Sequence, residues 1–109
     1  MSAANIIYQQ IGGNRFAAMT GSHHFLADGN TLRMQLVKNK SKANRLYITY
    51  DEVLDLYNMR FFRETIGRLN YKTGMWIEGK VVEVEKIEGV YCDMLEDVFE
   101  RVTGLYTHL

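Results

Sequence analysis

The sequence predicts an α+β fold: an antiparallel sheet with a short N-terminal helix and a C-terminal amphipathic helix packed on it. Three observations carry that expectation. Between Thr31 and Val37, Leu32, Met34 and Leu36 alternate with Arg33 and Gln35, the period-two pattern of a strand with one wet face. Near the end, Ile87, Tyr91, Met94, Leu95, Val98, Phe99 and Val102 recur at helical spacing, so one arc of a helix is apolar. The chain contains no proline, and its glycines fall between the patterned stretches where turns belong.

Taken in order, Ala3, Ile6, Ile7 and Ile11 share a helical arc, and Gly12-Gly13 supplies a stop. Phe16 to Met19 reads as a brief strand. Asp28-Gly29-Asn30 is a turn into the strand Thr31 to Val37. A basic loop, Lys38 to Asn44, precedes a strand from Arg45 to Tyr50, with Leu46, Ile48 and Tyr50 on one face. Asp51 to Asp55 fits a tight connection or one helical turn. In Leu56 to Arg63, Tyr57, Met59 and Phe61 point one way while Asn58, Arg60 and Phe62 point the other. Asn70 to Gly74 has the composition of a hairpin tip, flanked or followed by strands at Met75 to Ile77 and Val81 to Ile87. Short connections between several strands favour antiparallel pairing. The last helix stops at Gly104, and Asp93, Glu96, Asp97 and Glu100 lie opposite its apolar arc.

A chain of 109 residues fits a single domain, and 47% hydrophobic content is enough for a core. No apolar run approaches the roughly 20 residues of a spanning helix, and Met1 to Ile11 lacks the basic start and long apolar stretch of a signal peptide. A single cysteine, Cys92, excludes an internal disulfide framework and suits a reducing, cytoplasmic setting. Net charge is zero but unevenly spread. Residues 1–80 carry 11 Lys/Arg against 6 Asp/Glu, and residues 81–109 carry 2 against 7. A neutral total argues against a protein held on nucleic acid by bulk charge, yet it describes a polar molecule whose two parts attract each other or neighbouring copies.

No residue set announces catalysis, and no cofactor or metal is expected. His23-His24 on a strand would project to opposite faces, and one cysteine with scattered histidines lacks zinc spacing. Cys92 falls at the edge of the apolar arc, where it reads as a small, partly buried hydrophobe beside thiolate-disfavouring Asp93 and Glu96. Gly12-Gly13-Asn14 follows a helix rather than a strand and lacks the spacing of a phosphate loop.

Three surfaces are candidates for partner binding. Lys38, Lys40, Lys42 and Arg45, interleaved with Asn39, Ser41 and Asn44, form a cationic loop suited to phosphates or an acidic protein face, or else a solvated connection. Arg60 and Phe62, with Asn58 and extended by Arg68, Tyr71 and Lys72, offer rings beside arginine that would stack single-stranded bases if the face is open. If the first helix covers that face, Arg60 instead lies along it. Asp93, Asp97 and Glu100 make an acidic strip, either a solubilising face or a partner to a basic surface.

Gly12-Gly13-Asn14-Arg15-Phe16, Met19-Thr20-Gly21, Asp28-Gly29-Asn30-Thr31-Leu32, Gly89-Val90-Tyr91-Cys92-Asp93-Met94-Leu95 and the closing Thr103-Gly104-Leu105-Tyr106-Thr107 together resemble a family of small, mostly uncharacterised proteins encoded by bacteriophages and related mobile elements. The likeness spans nearly the whole chain, and the closing motif is its most specific part. The chain departs from the family's pattern between Thr65 and Gly79, where it carries an extended hairpin, so a partner contact there would be particular to this protein. The resemblance implies a phage or mobile-element setting and supplies no catalytic residues. The leading expectation is a non-enzymatic accessory protein in the host cytoplasm that binds a macromolecule, foremost a host defence protein, in the manner of an anti-CRISPR inhibitor. Two alternatives are a single-stranded nucleic-acid-binding module and a self-assembling phage component, the acidic helix of one copy against the basic face of another.

Overall fold

The computed structural model describes residues 3–105. Two helices open the chain, α1 (Ala3–Ile11) and α2 (Gly13–Thr20). Gly12 breaks them apart at φ 124°, a conformation closed to L side chains. On α1 the buried residues are Ala4, Ile7 and Ile11, while Ile6, expected on the same arc, is exposed. The strand expected at Phe16 to Met19 is helix instead. Thr20 Oγ1 donates to the Phe16 carbonyl at 2.8 Å, and the Gly21 N–H closes the end on the Ala17 carbonyl at 2.9 Å. Four residues are too few to carry a period, so the flanking glycine caps decided the outcome.

Seven strands follow: β1 (His23–Asp28), β2 (Thr31–Gln35), β3 (Arg45–Asp51), β4 (Leu56–Thr65), β5 (Arg68–Asn70), β6 (Met75–Ile77) and β7 (Lys80–Val90). Five make one antiparallel sheet in the order β1-β2-β3-β4-β7, and β5 pairs with β6 alone. The alternations read from the sequence hold here. Leu32, Met34, Leu46, Ile48, Tyr57, Met59 and Phe61 are buried on one face of the sheet.

β7 runs to Val90 and is followed by a 3-10 turn, Cys92–Met94, and by α3 (Leu95–Thr103). The last helix is therefore shorter than its apolar pattern suggested. Ile87 lies opposite Met59 in the sheet, and Tyr91 and Met94 are exposed. The β-branched residues of Val81-Val82 through Ile87 favour a strand, and β4 is long enough to pair with it. Leu95, Val98 and Phe99 are buried as the period required, and Phe99 meets Phe16 edge-on at 4.8 Å between ring centres. Gly104 ends the helix at φ 73°, donating to the Glu100 carbonyl. Cys92, expected to be partly buried, is exposed on the turn. The closing motif's Tyr106 and Thr107 lie outside the described residues. All three helices stack on the same face of the sheet, so the core lies between them and the inner rows of β2, β3 and β4.

The β5–β6 hairpin departs from a rounded shape. The molecule measures 50 × 33 × 22 Å with a radius of gyration of 15.3 Å, against about 13 Å for a compact chain of this length. In register, Thr65 pairs with Lys80 and Arg68 with Ile77, so the hairpin continues the β4–β7 pair beyond the sheet as an arm. Gly67 and Gly79 form its neck. A Cβ at residue 67 would sit 2.7 Å from the Trp76 ring, and one at residue 79 would collide with the Thr65 carbonyl oxygen.

Candidate functional site

Two ends of the sheet differ in charge, and the turns decide which residues gather at each. The arm end holds the β2–β3 loop and the root of the arm. Asn39 organises the loop: its Nδ2 donates to the carbonyls of Val37 and Ala43, both at 2.8 Å, and its Oδ1 accepts from the Ser41 N–H at 3.0 Å. Asn44 pairs its side-chain amide with both backbone groups of Glu64 at 2.8 Å, which fastens the loop to β4. The Lys40 N–H donates to the Thr103 carbonyl at 3.1 Å, tying the loop to the end of α3. Ala43 is buried, and Lys42 takes φ 68°, a left-handed conformation that lysine rarely adopts. This loop is built into the fold.

Its lysine side chains are nonetheless free to act. Lys38, Lys40 and Lys42 are exposed, and with Arg63 they line a cleft of about 670 Å³ that contains no carboxylate. The Arg63 Nη1 donates to the Lys42 carbonyl at 3.2 Å, which seats its guanidinium at the rim. Arg45, grouped with the lysines by sequence, is set apart: it pairs with Glu64 at 3.7 Å and is mostly covered. Arg63 takes its place. Nothing in the sequence marked Arg63, because its nearness to the loop comes from the β3–β4 register.

Exposed apolar side chains gather on the arm and at its root on β7. Trp76 is 62% exposed, Tyr71 91% and Ile66 82%, and Leu69, Met75, Ile77, Val81 and Val82 are also open. Arg68 and Lys72 lie among them, and between residues 66 and 79 the single acid is Glu78, next to the neck. The expected grouping of Arg68, Tyr71 and Lys72 with the Arg60 face is replaced by this arm.

On the outer face of the sheet no helix intervenes, but the rings there are occupied. Phe62 is only 3% exposed. The Arg60 guanidinium lies 4.3 Å over its ring, and Tyr47 meets it edge-on at 4.9 Å. Arg33 stacks on Tyr47 at 4.9 Å, and the row is closed by Glu83 on Arg60 and Asp28 on Arg33. Two cations and the two rings between them thus engage one another across β2, β3 and β4. Phe62 offers no free π-face for a base. Neither sequence reading of this face holds, since α1 packs on the opposite side.

The acidic strip spans two elements. Asp93 belongs to the 3-10 turn, Asp97 is exposed on α3, and Glu100 is partly buried one turn on. Glu96 pairs with Arg15 at 3.2 Å. At this end of the sheet the β3–β4 turn adds Asp51, Glu52 and Asp55. The Tyr50 hydroxyl donates to Asp55 at 2.6 Å, and that bond, followed by burial, pushes the phenol up to about 12. Burial likewise raises Tyr57, whose hydroxyl donates to Gln10.

His23 and His24 do not project to opposite faces. A bulge in β1 with His24 at φ 55° brings the two rings edge-on at 4.7 Å. Among the described residues no three His, Cys, Asp or Glu converge as a metal cluster would require, and no helix is long and apolar enough to cross a membrane. Compared with family models, curated proteins and solved structures, the chain matches none of them.

Proposed function

We propose that this protein is a non-enzymatic binding protein that docks on another protein with its arm end. The observation that supports this most is the arm: a two-stranded hairpin placed outside the core and covered with exposed aromatic and aliphatic side chains. An isolated two-stranded hairpin is marginal in water, and a contiguous apolar surface of this kind marks an interaction site. Buried by a partner, each large side chain would contribute about 1.5–3 kcal/mol. The surrounding Lys38, Lys40, Lys42, Arg63, Arg68 and Lys72 suit a partner whose groove is apolar and rimmed by carboxylates. The setting we propose, a phage or mobile-element accessory protein acting in the host cytoplasm on a defence protein, rests on the sequence resemblance.

Capture from host lysate on immobilised protein tests the reading. Wild type should retain a partner after nuclease treatment and at moderate salt, and a Tyr71→Ala/Trp76→Ala variant should lose it. Nucleic-acid binding through the basic cleft is the competing outcome. It would appear as capture that vanishes with nuclease, falls steeply with salt and ignores the arm substitutions.

A further inference from the structure

The end of the sheet opposite the arm is also apolar, and its charge is the reverse. In the β3–β4 turn Val53 is 92% and Leu54 63% exposed, and Tyr91 and Met94 are open beside them where β7 leaves the sheet. Around these stand Asp51, Glu52, Asp55, Asp93 and Asp97, none of which has an ion-pair partner among the described residues. A hollow of about 250 Å³ opens at the same end between Ile6, Tyr50, Asp55 and Tyr57. Gln10 also lines it, so its walls combine Ile6 and the rings of Tyr50 and Tyr57 with hydroxyls that donate to Asp55 and Gln10, and it is of a size for one large side chain.

The two ends cannot meet within one molecule. β4 starts beside the acidic turn at Leu56 and delivers the chain to the arm after Thr65, a run of roughly 33 Å at the rise of a strand. A basic apolar end and an acidic apolar end on one rigid sheet are therefore complementary only between copies. We infer that the occupant of the arm end, when no other protein holds it, is the acidic end of a second copy of this chain. Resting on the reading of the arm end as a docking surface, the inference names one specific partner for it. Trp76 or Tyr71 of one copy enters the hollow beside Tyr50 and Tyr57 of the next, and Arg68 and Lys72 meet the carboxylates of the β3–β4 turn. This contact is heterologous, so each copy retains one free arm and one free acidic end, and association proceeds head to tail.

Sedimentation velocity over a concentration series in low salt tests it. Wild type should grow in mass with concentration without stopping at a dimer. Trp76→Ala in the arm and Leu54→Lys in the acidic turn should each weaken association about tenfold or more, as loss of an interface anchor does. Tyr71→Glu serves as a second arm variant, because its ring stands clear of the arm's own packing. An equimolar mixture of an arm variant with Leu54→Lys should form one-to-one dimers, since it restores a single intact contact per pair. A monodisperse wild-type monomer, a wild type that stops at a dimer, or a mixture that stays monomeric would each overturn the inference. A monomeric wild type that still captures a host protein through its arm would overturn self-docking and leave the proposed function standing. Assembly without any capture would do the reverse.

Discussion

Leu46-Tyr47-Ile48 in β3 and Met75-Trp76-Ile77 in β6 are the same pattern, aliphatic–aromatic–aliphatic on a strand, and they meet opposite fates. Leu46 and Ile48 are sealed under the helices, and Tyr47 is wedged between Arg33 and Phe62. All three residues of the β6 triplet face solvent. Apolar alternation specifies a strand; whether that strand is buried depends on what the rest of the chain lays over it. In β3 that is three helices on one side and a row of stacked cations on the other. In β6 it is nothing among the described residues, which is why the same side chains stay open to solvent and are the proposed docking surface.

The largest effect should separate the two regions. Phe99→Ala removes a ring packed against Phe16 and Phe61 and should cost about 3–5 kcal/mol, whereas Trp76→Ala should stay within about 1 kcal/mol in thermal or denaturant melts. Equal costs would show that the arm belongs to the core. Next comes the basic loop, where backbone and side chains have different tasks. Asn39→Ala breaks the bonds to Val37, Ser41 and Ala43 and should cost about 1–3 kcal/mol. Changing Lys38, Lys40 and Lys42 together to Gln should move stability by no more than about 0.5 kcal/mol. That triple variant should still weaken capture of an acidic partner, measured by retention on the immobilised protein.

The smallest effect is confined to alkaline pH. Tyr50 is held protonated by Asp55, its folded value near 12 standing above the unfolded value of 10.0. The stabilisation is therefore complete below pH 10 and is lost as pH rises from 10 towards 12. Tyr50→Phe should flatten that part of the stability profile and leave neutral pH little changed. A profile identical to wild type between pH 10 and 12 would remove the Tyr50–Asp55 bond from the account.

The legible parts of the fold were those with one wet face and enough length to show a period. Thr31 to Gln35, Leu46 to Tyr50 and Tyr57 to Phe61 are strands read correctly for that reason, and Leu95, Val98 and Phe99 fixed the face of α3. Where two patterns overlapped, the sequence misled. Ile87 satisfies both the strand that contains it and the helix that follows, and only its pairing opposite Met59 decides. Phe16 to Met19 was too short to decide at all. At the candidate surfaces, residue type identified the lysines of the loop, but not that Asn39 and Asn44 tie that loop in place. Arg45 and Arg63 exchange roles through cross-strand register, which no local pattern encodes. An extended hairpin was expected between Thr65 and Gly79, but not that its two-glycine neck sets its apolar residues outside the core.

Excision of the arm bears most directly on the claim that folding and docking are separate tasks. Thr65 and Lys80 are already a cross-strand pair, so replacing residues 66–79 by Asn-Gly would close β4 onto β7 through a two-residue hairpin turn. Capture of the partner by this excised protein, compared with wild type at a temperature where circular dichroism shows both folded, is the decisive measurement. The expected outcome is a folded protein that captures nothing. Capture at the wild-type level by the excised protein, or its failure to fold, would contradict it.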